Sequence, residues 1–285
     1  MTKEKKILFS TIQVTALTLF VKFLGLIKQS VLAACCGATM ETDAFFLATG
    51  TMVNLSTIIF SAISISLLTI HTNVLFQQGR EASNRLINAV LKFFVPVAVV
   101  LTVIFYFFSP VIAKILAPAY QGNELAILAD YIQTMSVSFI LWCYFLTVNV
   151  VLETDKQFVQ GKGQGLFQNV FLILGAVLLY PKYGMKVLIY AFLLSGVAQC
   201  ILVTWYARDR FRIVVRSRES NGYVKRLVAV AFPLLLGNAM YEVNTIVDGQ
   251  VATSLGAGGA SILNYGATIN DTFLFFYLFT FLPLK

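Results

Sequence analysis

The sequence predicts an all-α polytopic membrane protein. It has about eight transmembrane helices: a six-helix N-terminal lobe, then the first two helices of a second, parallel-repeat lobe. Three observations predict this. Hydrophobic residues make up 58% of the 285 and charged residues only 12%, whereas a soluble domain carries about 25% charged residues. Apolar runs of roughly 20 residues recur along the whole length, each enough to cross about 30 Å of hydrocarbon, and the alternation of a membrane barrel is absent. Finally, a motif at the first joint returns 219 residues later.

Taken in order, the spans fall at about 7–36, 44–76, 86–112, 126–152, 163–181, 185–207, 224–254 and 260–283. Spans one, two and seven exceed the minimum, which predicts tilt, kinking or extension past the bilayer. The basic start MTKEKK precedes a segment too long for a signal h-region, and no small-residue cleavage site follows, so no cleavable signal is predicted. With a cytoplasmic N-terminus, lysine and arginine divide sixteen inside against three outside, the latter being Lys114, Lys182 and Lys186. Such a bias predicts the N-in orientation, and it accounts for the net charge of +8 without a nucleic-acid partner. The stretch ARDRFRIVVRSRESNGYVKR (207–226) is the most charged. It predicts a boundary: a lobe over 1–207, a basic cytoplasmic connector over 208–223, and the second lobe over 224–285. Such a connector also suits anionic headgroups.

LAACCGATMETDAFFLAT (32–49) aligns without gaps to VATSLGAGGASILNYGAT (251–268), with Ala33/Ala252, Gly37/Gly256, Ala38/Ala257, Ala48/Ala267 and Thr49/Thr268 identical. Both copies join an odd span to an even one at the outer face. Six spans separate them, so orientation is preserved, as in transporters whose lobes are related by an axis along the membrane normal. On that count the second lobe stops after two spans, which reads as a truncated chain or one half of a split protein.

Charge inside a membrane is costly and marks functional positions. Lys22 and Lys28 flank Gly25, a natural bend that would turn both ammonium groups into one cavity. There they would attract a phosphate or pyrophosphate as point charges; the alternative is that Lys22 snorkels or pairs with Asp43. Asp43 opens span two beside Glu41, where Thr42 or Glu41 would cap the helix. On span seven, Tyr241, Asn244, Thr245 and Asp248 share one helix face, an oxygen set suited to a hard monovalent cation or a proton, with Asp248 in mid-membrane. Asn264, Thr268 and Asp271 repeat the pattern on span eight, and Asn and Thr there read as polar glue between helices. His71, without a catalytic partner, reads as interfacial. QGKGQG (160–165) reads as a connector rather than a phosphate loop. Cys35, Cys36, Cys143 and Cys200 read as packing residues with neither metal ligands nor disulfides. An embedded glycosyl- or phosphotransferase would need clustered acids, or acids with His or Arg, at a membrane face. None is present, so no enzyme, metal or cofactor is expected.

GLIKQSVLAACCGATMETDAFF (25–46) resembles the first-span motif G-x-x-R-[DE]…GA…TDAFF of the MurJ/MviN lipid II flippases, within the multidrug/oligosaccharidyl-lipid/polysaccharide flippase superfamily. AFPLLLGNAMYEVNTIVDGQVATSLGAGGASILNYGATI (231–269) resembles that family's seventh-to-eighth-span region. The resemblance implies a fourteen-span fold around a central cationic cavity, in the bacterial cytoplasmic membrane. It implies alternating-access flipping of undecaprenyl-pyrophosphate-linked saccharides for peptidoglycan or surface polysaccharide, driven by Na+, H+ or the membrane potential. It places substrate binding at Lys22, Lys28 and Asp43, while the coupling ion is assigned to Asp248, Asn244 and Thr245. The sequence departs from the pattern where the family's further span-two basic residue falls near Asn54 to Thr57, where Pro-Asn is replaced in Met52-Val53-Asn54, and at Thr268 in place of arginine. A cavity with fewer positive charges follows, for another glycan lipid or in a divergent paralogue. The alternatives are a multidrug/cation antiporter of the same superfamily, or an inactive truncated fragment.

Overall fold

The computed structural model describes residues 3–213 and 221–281, with side chains except at 3–12, 158–162, 164, 221, 241, 242, 275, 276 and 278–281. Tyr241, Lys162, the N-terminal Lys3, Lys5 and Lys6, and the connector's Arg216 and Arg218 therefore lie outside the described side chains. The described residues form helices and short links. In chain order these are α1 (Lys3–Cys36), α2 (Met40–Ser56), α3 (Ala62–Phe107), α4 (Ser109–Leu116), α5 (Asn123–Met135), α6 (Ser138–Thr154), α7 (Phe158–Leu174), α8 (Tyr180–Tyr183), α9 (Lys186–Ala207), α10 (Asn221–Ser254) and α11 (Gly259–Phe281). Single π-helical turns at Thr57–Ser61 and Gly175–Leu179 join α2 to α3 and α7 to α8.

Spans two and three are expected to be separated by a turn over 77–85, yet that segment is helical apart from Gly79, whose φ of 82° breaks α3. Only glycine adopts this backbone cheaply. The reversal is visible in the contacts with α6. Ser64 Oγ donates to Leu146 O at 3.2 Å and His71 Nδ1 meets Thr154 Oγ1 at 2.9 Å, so the first half of α3 runs parallel to α6. Beyond Gly79, Arg80 meets Asp155 at 3.2 Å and Thr102 Oγ1 donates to Ser136 O at 3.1 Å, so the second half runs antiparallel.

Six stretches are long and apolar enough to cross a membrane. Met40–Phe107 supplies two spans through the reversal, so these stretches account for seven of the expected eight, and α11 occupies the place of the eighth. The largest fully buried side chains, among them Phe139, Leu32, Met52, Leu86 and Ile132, all lie in the six-span lobe. On α10 and α11, Phe232, Leu236, Ile262 and Phe273 remain exposed.

Two further expectations are corrected. QGKGQG is not a connector but lies within α7. A Cβ on Gly165 would sit 2.6 Å from Val21 Cγ1, so its small size lets α7 pack on α1, as small residues do between membrane helices. His71, read as interfacial, is 1% exposed and paired with Thr154 at the end of α6. The four cysteines are free thiols, and Cys35 is exposed rather than packed.

Candidate functional site

The site is built on the repeated joint. α1 ends at Cys36 and α2 begins at Met40, while α11 begins at Gly259, the residue that corresponds to Met40 at the offset of 219. The repeated glycines Gly37 and Gly256 both hold left-handed backbone, with φ of 68° and 100°. The Gly-Ala repeat is thus one turn used twice. Thr39, not Thr42 or Glu41, caps α2: its Oγ1 accepts from the Thr42 amide at 3.3 Å.

The two turns touch. Asp43 is completely buried, and its carboxylate caps the other lobe's helix. Oδ2 accepts from the Gly258 amide and Oδ1 from the Ser261 amide, each at 2.6 Å, and the Ser261 hydroxyl also donates to Oδ1. The first amides of a helix lack intrahelical acceptors and carry partial positive charge, so a carboxylate suits them electrostatically. Tyr265 completes the contact: its hydroxyl donates to Gly37 O at 3.2 Å and its ring stands edge-on to Phe46 at 5.2 Å. In the loop between α4 and α5, burial pushes the Tyr120 phenol above its ordinary pKa, and the Asp43 and Glu124 charges add to the shift.

Asp43 therefore lines no cavity in this state, and both its oxygens serve α11. α1 is helical throughout, so the chain does not unwind at Gly25. Beside Gly25 lies Asn169, whose Nδ2 donates to Val21 O at 3.1 Å. At ideal helix spacing Lys22 and Lys28 stand about 120° apart around the helix and about 9 Å along it. Gln29, which the sequence reading missed, shows where each points. Its Nε2 donates to Asn264 Oδ1 and Thr268 Oγ1, both at 2.8 Å, across to α11. Lys22 is seven residues before Gln29 and shares its face, towards the second lobe. Lys28 is seven after Val21 and shares the face packed on α7. Both lysines are half-buried.

Asn264 and Thr268 are thus interlobe glue. On α10, Asn244, Thr245 and Asp248 are exposed, and Asp248 lies six residues before Ser254, about 9 Å from the helix end and not at mid-span. Nearer the middle of α10, Asn238 Nδ2 donates to Ser61 Oγ at 3.2 Å. Ser61 ends the π-helical turn that begins at Thr57, close to where the expected basic residue is missing. The end of the bundle opposite the joint holds Asp155 between Arg80 and Arg210, at 3.2 and 2.7 Å. Among the described residues no group of three or more His, Cys, Asp or Glu could hold a metal ion.

The family model described as "Lipid II flippase MurJ" matches residues 32–278. A lipid II flippase MurJ from Burkholderia cenocepacia is 26% identical over 266 residues, covering 88% of this chain and 51% of the relative. A probable lipid II flippase MurJ from Treponema pallidum is 26% identical over 294 residues, covering 96% and 54%. The chain spans about half the length of these curated relatives. Among solved structures, a lipid II flippase MurJ in an inward closed conformation superposes with a TM-score of 0.77 at 18% identity, covering 91% of this chain and 54% of that one. An inward-facing MATE family multidrug transporter superposes with a TM-score of 0.66 at 15% identity, covering 87% and 57%. At these identities the superpositions establish the shared fold.

Proposed function

Because this chain belongs to the lipid II flippase MurJ family, we propose that it moves an undecaprenyl-pyrophosphate-linked saccharide, lipid II or a related glycan lipid, across the bacterial cytoplasmic membrane by alternating access. The lipid serves peptidoglycan or surface polysaccharide assembly, and the N-terminus lies in the cytoplasm. The observation that carries the reading is the Asp43 bridge: one buried carboxylate joins the outer turns of two repeated lobes. Hydrogen bonds to a charged group contribute about 1.5–3 kcal/mol each, enough to hold the outer side shut. When the lobes part, water solvates both the carboxylate and the amides. The exchange is then close enough in free energy to be reversible.

Lys22 and Lys28 supply the positive charge for the pyrophosphate. Lys22 meets it from the interlobe face. Lys28 adds field from the α7 side, where low dielectric strengthens attraction. Asp43 gates access, not chemistry: nothing is bonded or broken, and the protein acts by differential affinity for two states. Asp248, Asn244 and Thr245 offer oxygens to a coupling Na+ or H+, with the membrane potential as the other source of drive.

Binding tests this reading. The purified chain in nanodiscs should bind a fluorescent polyprenyl-pyrophosphate saccharide, displaceable by inorganic pyrophosphate. Lys22→Gln and Lys28→Gln should each weaken binding about tenfold, or 1.4 kcal/mol. Unchanged affinity in both variants contradicts the assignment.

A further inference from the structure

An open groove lies on the outside of the six-span lobe, away from the lobe interface. α6 and α9 run parallel, tied by Tyr144 Oη to Thr204 Oγ1 at 2.7 Å and Cys200 Sγ to Leu141 O at 3.4 Å. Thr204 also donates to Cys200 O at 2.7 Å, so the Tyr144 hydroxyl is the donor between them and neither hydroxyl has a proton to spare. Between the helices runs an open groove of about 450 Å³. Its α9 wall is the row Val197, Ile201, Trp205 and Arg208. These are spaced four, four and three apart, which places them on one helix face.

Three features of this row fit one occupant. From Val197 to Arg208 it rises about 16 Å, close to half the roughly 30 Å hydrocarbon thickness, and therefore the depth of one leaflet. Its apolar members are open, with Ile201 and Trp205 each 62% exposed. At its end the Arg208 guanidinium lies over the Trp205 ring, 4.8 Å from the centroid. Arg208 meets an acid only at the limit of ion pairing, Asp209 at 3.9 Å, and both side chains are largely exposed. Its charge is left for an external anion. Arg210, by contrast, is held by Asp155 at 2.7 Å. A tryptophan and an arginine at the end of an apolar leaflet-deep groove match the interfacial level of a bilayer.

We propose that the α6/α9 groove binds an anionic phospholipid, with one acyl chain along Val197, Ile201 and Trp205 and the headgroup phosphate on Arg208. The guanidinium pairs with phosphate through a planar fork, and a net negative headgroup adds attraction that a zwitterion lacks. The occupant is a membrane lipid held in place, distinct from the transported glycan lipid.

The protein has two tryptophans, so Trp142→Phe leaves Trp205 as the sole reporter beside Arg208. In phosphatidylcholine vesicles carrying a minor fraction of phosphatidylglycerol brominated near the carbonyl, Trp205 fluorescence should quench at least threefold more steeply than with brominated phosphatidylcholine at equal mole fraction. Arg208→Gln should bring the two curves together, and Arg208→Lys should keep part of the difference. Equal quenching by both lipids in the parent variant overturns the proposal, as does selectivity that survives Arg208→Gln. Loss of glycan-lipid binding by the protein would leave this readout unmoved.

Discussion

The carboxylate of Asp43 caps the helix that carries Ser261, 218 residues further along the chain. It is the point at which the first lobe's turn grips the second lobe's copy of the same turn. At the equivalent position in the second copy stands Ile262, which has no such capacity. The grip is therefore one-sided: the turn is repeated, and the charge that locks it is not.

Breaking that grip should open the joint. Cys36, buried at 4% exposure, sits at this joint, its carbonyl accepting from Thr42 Oγ1 at 3.4 Å. In a Cys35→Ser background, Asp43→Ala should raise labelling of Cys36 by a membrane-impermeant maleimide several-fold. Ser261→Ala, which keeps the amide contacts, should raise it less. Equal labelling in all three proteins would deny Asp43 its locking role.

Gly165→Ala should destabilise the lobe by about 1–3 kcal/mol, the usual cost of overpacking, because the new methyl collides with Val21. The double variant Gly165→Ala, Val21→Ala should recover most of the loss in thermal unfolding. Failure of the rescue would mean that the clash is not with Val21.

The Tyr120 phenol is held above its ordinary value, near 10, chiefly by burial and further by Asp43 and Glu124. The folded state thus keeps a proton that the unfolded chain releases. The contribution is complete below about pH 10 and falls away as pH rises further. Tyr120→Phe should therefore gain stability relative to the parent above pH 10 but not below it, as read from denaturation midpoints across that range.

The fold was legible because hydropathy and charge bias are set by the bilayer and read locally. The eight spans needed no tertiary information, and the Gly-Ala repeat marked both turns. The failures were of another kind. Gly79 reverses the chain in a single residue, so the expected turn over 77–85 is nearly all helix. Glycines in QGKGQG signalled a connector by composition, whereas Gly165 is small because α1 passes so close. Asp43 was visible as a costly charge, but its partners are a backbone amide and a serine more than 200 residues away, which one sequence does not pair. Gln29 escaped notice because it is neutral, although Asn264 and Thr268, its acceptors, were already readable as interhelical glue.

Removing Gln29's bridge should loosen the lobes without touching charge. Gln29→Leu deletes two hydrogen bonds, a loss of about 1–3 kcal/mol, and leaves Asn264 and Thr268 facing an apolar side chain. Hydrogen exchange at the α11 amides around 264–268 should accelerate while that of α6 stays unchanged. Uniform acceleration would indicate global destabilisation instead.

The central claim is movement of a pyrophosphate-linked glycan lipid past the α1 lysines and through a joint gated by Asp43. The most direct test is translocation in proteoliposomes loaded with a labelled polyprenyl-pyrophosphate saccharide, scored by exposure of the glycan to an external reagent. The parent protein should translocate it, and Lys28→Ala and Asp43→Ala should each lower the rate tenfold or more. Translocation by both variants at the parental rate would contradict the account.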